Sequence, residues 1–264
     1  SGKTLTATSS LDGYISATST TTLTLYKLST PTVAAAANAT PGKSVKLTCA
    51  TYITSSGGTS NVSDVKCHYT TDGATTPTSS SSYVVSGNSL TLTSAGTYTV
   101  KAIGILAGYV SSAVATGTEF SITQLSAPTI AKTAIVGGYT VTYTSAEGNT
   151  LYYSLNGGSS YSNTAIGSTG KYSADIKPSA QTTYNIWAYN RKSGYADSAV
   201  TKYAQFIIYK LATPTVGAAE AIAGGKRVLL TCAKDTAGNA VSSVDCCYST
   251  SGTVTVSSPS VKSG

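Results

Sequence analysis

Apolar and polar residues alternate in short runs along this chain, with the period of two that a half-buried strand requires. Ser44-Val-Lys-Leu-Thr-Cys-Ala50 puts Val45, Leu47 and Cys49 on one face and Lys46 and Thr48 on the other. Val65-Lys-Cys-His-Tyr69 alternates likewise and runs into Asp72-Gly73, which predicts a tight reversal with positive φ. Residues 89–93, 97–102 and 118–123 read as further strands. Nothing has the 3.6-residue period of a helix, and the alanines at 34–37 are too few and uncapped, so they read as linker.

The strand pattern repeats. Leu28-Ser-Thr-Pro31-Thr-Val33 recurs as Leu125-Ser-Ala-Pro128-Thr-Ile130 and as Leu211-Ala-Thr-Pro214-Thr-Val216. A second anchor is an Ala followed six residues later by Gly-Tyr: Ala7 and Gly13-Tyr14, Ala102 and Gly108-Tyr109, Ala188 and Gly194-Tyr195. Setting the anchors in register divides the chain into residues 1–27, the closing strands of a repeat; 28–124 and 125–210, complete repeats; and 211–264, the front half of another. A complete repeat of roughly 85–100 residues has the size of an immunoglobulin-type sandwich. The expected fold is therefore all-β, a tandem of immunoglobulin-like β-sandwich modules. The turn at Asp72-Gly73 has counterparts at Asn156-Gly157 and Ser251-Gly252.

Composition agrees with stacked sheets. Charged residues make up 10% of the chain and hydrophobic ones 41%, a balance unlike that of disordered segments. The net charge of +7 is spread over single, separated lysines and arginines such as Lys101, Lys132, Lys171 and Arg191. Nucleic-acid binding would call for a basic stripe interleaved with aromatics, so no nucleic-acid partner is expected. No apolar run approaches the ~20 residues of a membrane helix, and no membrane insertion is expected.

The run Tyr69-Thr-Thr-Asp-Gly-Ala-Thr-Thr-Pro77-Thr-Ser-Ser-Ser81, followed by a Thr-Val-Lys-Ala strand, resembles the chitobiase/β-hexosaminidase C-terminal-type domain. The second repeat keeps the turn in Tyr153-Ser-Leu-Asn-Gly157 and loses the Pro-Thr; the third, Tyr248-Ser-Thr-Ser-Gly252, matches less. The resemblance implies fibronectin III- or immunoglobulin-like modules of bacterial secreted and surface proteins. It implies an accessory role and transfers no catalytic residue, because fold alone does not carry function.

Five cysteines fall at repeat-equivalent places. Cys49 matches Cys232 and Cys67 matches Cys246, while the middle repeat has Ser145 and Leu151 there. Residues that appear together in two repeats and vanish together in the third behave as a bonded pair, and both lie on the apolar phase. Disulfides Cys49–Cys67 and Cys232–Cys246 are predicted, and with them an oxidising, extracellular or cell-surface location. Cys247 remains outside both pairs, on the outward phase, as an incidental residue or an inter-chain link. Without Cys-x-x-Cys spacing, and with a single His, neither metal nor cofactor is expected.

Little chemistry is legible. His68 falls on the wet phase of its strand with no Ser or Asp motif beside it, and reads as a solvated residue. Asp72 reads as a turn residue, and Asp12, Asp197 and Glu119 lie near strand ends. Tyr69, Tyr153 and Tyr248, like Tyr109 and Tyr195, recur at fixed phase and read as core or corner packing. Trp187, Tyr189, Tyr152 and Tyr161 are less regular and are the candidates for an exposed ligand surface, Trp187 on a phase that should face solvent. The expected function is a non-catalytic module array: a stalk, adhesin or filament subunit whose partners are neighbouring modules or identical subunits. The alternative is a glycan-binding accessory module of a secreted hydrolase. For the split repeat two readings stand: a piece cut from a longer tandem protein, or residues 1–27 of one chain completing the half-module of the next by strand addition, head to tail.

Overall fold

The computed structural model describes residues 2–54, 56–251, 253–254 and 258–262. The described residues form strands and turns, without helix. Gly252, and with it the predicted turn at Ser251-Gly252, lies outside the described residues.

In the 28–124 repeat, one sheet runs Tyr83–Val85, Lys66–Thr70, Lys101–Ile105, Ala115–Thr116, and the facing sheet runs Ser89–Leu92, Lys43–Thr48, Thr32–Val33. All of these ladders are antiparallel. Alternation along Lys43–Thr48 sends Val45 and Leu47 inward, and Lys101–Ile105 sends Ala102 and Gly104 inward from the opposite sheet. They meet in a core with Leu28, Val65, Leu90 and Val100, each fully buried Leu, Val or Ile side chain contributing about 1.5–3 kcal/mol. Two antiparallel sheets packed over one such core define an immunoglobulin-like sandwich.

The 125–210 repeat is built alike. Ser162–Ala165, Thr150–Ser154, Trp187–Arg191 and Thr201–Lys202 form one sheet, and Thr129–Ile135, Gly138–Thr144 and Lys171–Ile176 the other. Val141, Tyr143, Leu151, Ile166, Ile186 and Ala188 lie in a separate core. In residues 211–262 the buried cluster shrinks to Cys232, Val244 and Cys246.

By contact, the chain divides into two compact units, Ser1–Leu125 with Arg191–Ser198, and Ser126–Asn190 with Ala199–Gly264. The 191–198 segment joins the first unit through backbone bonds. Gly194 N–H donates to Ala39 O at 2.9 Å, Gly42 N–H to Tyr195 O at 2.8 Å and Leu125 N–H to Ala196 O at 3.1 Å. Arg191 and Asp197 close this segment as a bidentate, half-buried ion pair at 2.9 and 2.6 Å.

Both predicted disulfides are present, with Cα–Cα distances of 5.8 Å for Cys49–Cys67 and 5.7 Å for Cys232–Cys246. Two features correct the sequence reading. Asp72-Gly73 has the positive φ expected, 69° at Gly73, but it does not fold the strand straight back. Instead Gly73 N–H donates to Thr99 O and Thr99 N–H to Thr71 O, and the chain rejoins the sheet only at Tyr83–Val85. Gly157 and Asn185 make the equivalent exchange in the second repeat. The second correction is His68, which is buried rather than solvated. The 71–82 connection folds over its face, bringing Ser81 O to 2.8 Å from Nδ1, and the Tyr83 ring lies 5.2 Å away.

Candidate functional site

The sheet containing Thr150–Ser154 and Trp187–Arg191 gathers every aromatic residue singled out as a ligand surface. Trp187 and Tyr189 sit two apart on one strand, so they share a face. Tyr152, on the adjacent strand, stacks on Tyr189 with centroids 5.0 Å apart and planes within 10°. Tyr161 meets the other side of Tyr189 edge-on at 5.2 Å. Gly158 turns beneath Trp187, where a Cβ would come within 2.6 Å of the indole and 3.1 Å of the Tyr161 hydroxyl. Only a glycine, here with a φ of 85°, lets the backbone pass there.

These four side chains form one strip, each half-buried. Trp187 lies on the outward phase of its strand, alternating with buried Ala188 and Asn190. Lys202, its ladder partner, holds Nζ 4.2 Å from the ring centroid, and the 157–158 turn takes up the remaining space. Cations cover rings elsewhere too: Lys66 lies over Tyr83 at 4.4 Å and Lys132 over Tyr139 at 4.0 Å. Several of the scattered lysines thus cap aromatic faces.

The recurring tyrosines divide as their surroundings do. Tyr69 and Tyr109 pack against the first core and Tyr153 against the second, whereas Tyr195 and Tyr248 are each 38% exposed. A feature missed in the sequence is the serine four residues after the glycine of the Gly-Tyr loop in the two complete repeats, where the first copy has Ala17. Ser112 is buried, accepts from Gly104 N–H at 2.8 Å and donates to Ala113 O at 2.7 Å, pinning the loop to the strand that precedes it. Its counterpart Ser198 is buried too. The recurrence of Ser at this position was the available signal.

The acidic candidates hold turns and pairs. Asp72 accepts from the Thr75 hydroxyl at 2.6 Å and from the backbone N–H groups of Thr75 and Ala74 at 2.9 and 3.1 Å. The Thr75 hydroxyl bond is the main reason its carboxyl titrates below the ordinary aspartate value. Asp197 is held by Arg191. Beside Asp72 the surface has a shallow hollow of about 330 Å³ lined by Tyr69, Thr70, Ser81 and Ser82. Among the described residues no group of three His, Cys, Asp or Glu side chains could hold a metal ion, and no helix is long and apolar enough to cross a membrane. Cys247 is half-buried on the strand Asp245–Cys247, at the margin of a larger apolar groove.

No family model matches the chain, and no curated protein matches it. Among solved structures, the chicken interferon gamma receptor alpha chain is similar at 12% identity, covering 67% of this chain and 98% of that one, with a TM-score of 0.24. That likeness is too loose to bear on function. The class rests on the chain's own geometry: an all-β protein of tandem immunoglobulin-like sandwiches with two disulfides.

Proposed function

We propose that the chain is a non-catalytic structural array from a secreted or cell-surface protein, with modules at 28–124 and 125–210 that set length and present a surface. The observation that carries this is the doubled sandwich: one scaffold, built twice around separate cores, whose candidate reactive residues are occupied in holding it. His68 bonds the loop that covers it, Asp72 its own turn and Asp197 an arginine. The two disulfides support an oxidising compartment. The resemblance of residues 69–81 to the chitobiase/β-hexosaminidase C-terminal-type domain supports an accessory role in the same setting.

Thiol blocking of intact producing cells before lysis, followed by mass spectrometry of Cys49 and Cys67, tests the compartment. Bonded cysteines in the surface or secreted fraction are expected; a reduced chain confined to the cytosol would contradict the reading.

A second reading, glycan binding, is favoured by the contiguity of Trp187, Tyr161, Tyr189 and Tyr152. On a glycan array it predicts binding that Trp187→Ala abolishes. The structural reading predicts no binding by either protein.

A further inference from the structure

The 28–124 module joins its two sheets through Cys49–Cys67, a bond between residues 18 apart. The 125–210 module has Ser145 and Leu151 at those positions and cannot form it. In its core, however, a tyrosine from each sheet reaches toward the other. Tyr153 lies on Thr150–Ser154 of one sheet and Tyr172 on Lys171–Ile176 of the facing one. They are 19 residues apart in sequence, and their hydroxyls are hydrogen-bonded at 3.0 Å.

The two rings lie alongside each other rather than head to head. Their centroids are 5.3 Å apart, with planes 38° from parallel, and the separation narrows to 3.0 Å at the oxygens. The carbons ortho to each hydroxyl fall between these points, so the edges at which phenols couple are already neighbours. Tyr143 holds them there: it is 1% exposed, and its ring lies 5.3 Å from Tyr153 and 6.0 Å from Tyr172. Tyr153 and Tyr172 are half-buried, open enough to yield an electron to an oxidant and too enclosed for their rings to couple readily with another chain.

We propose that Tyr153 and Tyr172 are an oxidative cross-linking site, coupled to dityrosine by a haem peroxidase with hydrogen peroxide, and that the new bond ties together the two sheets of the module that lacks a disulfide. Each phenol gives up one electron and one proton; one molecule of hydrogen peroxide takes both pairs and leaves as two waters. The two phenoxyl radicals join through their ortho carbons, and the hydrogen displaced from each of those carbons moves to its own ring's oxygen as aromaticity returns. The product has lost two hydrogens and keeps both hydroxyls. A covalent bond closing a loop of this length restricts the unfolded chain much as Cys49–Cys67 does in the first module. It differs in one respect, since a carbon–carbon bond withstands reductant.

The proposal goes beyond the structural reading and fails separately from it, because an array whose tyrosines never couple is still an array. In the test, the full chain, dilute enough to disfavour links between copies, is treated with a haem peroxidase and hydrogen peroxide, digested and mapped by mass spectrometry. Tyr152 and Tyr189 are the internal comparison, since their rings stack face to face at 5.0 Å and present no edges to each other. The account expects dityrosine fluorescence and an intrachain Tyr153–Tyr172 link short of two hydrogens, about tenfold above any Tyr152–Tyr189 link. Tyr172→Phe should abolish it, and Tyr152→Phe should leave it unchanged. The coupled chain should melt about 4 °C or more higher in its second module, a gain that persists in reductant and that treated Tyr172→Phe does not show. Oxidation confined to other tyrosines, a link that forms as readily in urea-unfolded chain, or a link that leaves the second module's melting unchanged overturns the proposal.

Discussion

Where the 28–124 module crosses its core with Cys49–Cys67, the 125–210 module has Ser145 and Leu151, and the exchange does not stop at those two positions. Gly104 lies opposite the disulfide, with space so limited that a Cβ would sit 3.3 Å from the Cys49 Cβ. Its counterpart in the second module is Asn190, which is buried and donates from Nδ2 to Ser126 O at 2.9 Å. The second core adds a tyrosine cluster: Tyr143 lies against Tyr153 at 5.3 Å and Tyr172 at 6.0 Å, while the Tyr153 and Tyr172 hydroxyls bond at 3.0 Å. One module thus secures its centre with a covalent bond and a glycine, the other with aromatic packing and an amide. The sandwich tolerates either, provided neighbouring positions change in concert, because close-packed interiors register even one added methylene.

The sharpest way to break the comparison is to hollow out the aromatic core. Leu151 is fully buried, and Leu151→Ala should cost about 2–5 kcal/mol. Chemical denaturation should show the loss in the second module alone; an equal loss in the first would mean the cores are not separate. Reduction comes next. Bonds spanning 18 and 14 residues contribute about 3 kcal/mol each, so a reductant should lower the midpoints of the first module and of the 211–262 half while sparing the second module. Replacing Cys49 and Cys67 with Ser and Leu, the residues of the middle repeat, should recover part of that loss.

Tyr143→Phe should act in the opposite direction. The Tyr143 hydroxyl is buried with no hydrogen-bond partner among the described residues, so removing it should stabilise by about 1 kcal/mol. Burial pushes this phenol well above its ordinary value of 10.0. The raised folded value means its contribution is complete below pH 10 and is lost as pH rises beyond it. Thermal melts above pH 10 should therefore fall less steeply in Tyr143→Phe than in the parent. The smallest effect belongs to Asp72. Its depressed carboxyl value means stability is held above the ordinary aspartate range and lost as pH falls through the lower, folded value. NMR titration should move the Asp72 midpoint upward in Thr75→Val.

The disulfides were legible because the cysteines co-vary between repeats and share an apolar phase. The strands were legible because period-two alternation survives in residues 44–50 and 65–69. His68 was misread for a physical reason: strand parity reports only which face a side chain takes, and the 71–82 connection later covers the outward face. Trp187 keeps its outward phase, and its partial cover was not legible because Lys202 and Gly158 approach from distant parts of the sequence. That Tyr152, Tyr161, Trp187 and Tyr189 form one strip depends on strand order, which alternation does not encode. The coupled exchange of Gly104 for Asn190 becomes visible only when both cores are set side by side.

Amide hydrogen exchange with and without reductant tests the two-core account most directly. Strands Lys43–Thr48, Lys66–Thr70 and Lys101–Ile105 should lose protection when Cys49–Cys67 is reduced, while Gly138–Thr144 and Thr150–Ser154 keep theirs. A uniform loss across both sets would contradict it.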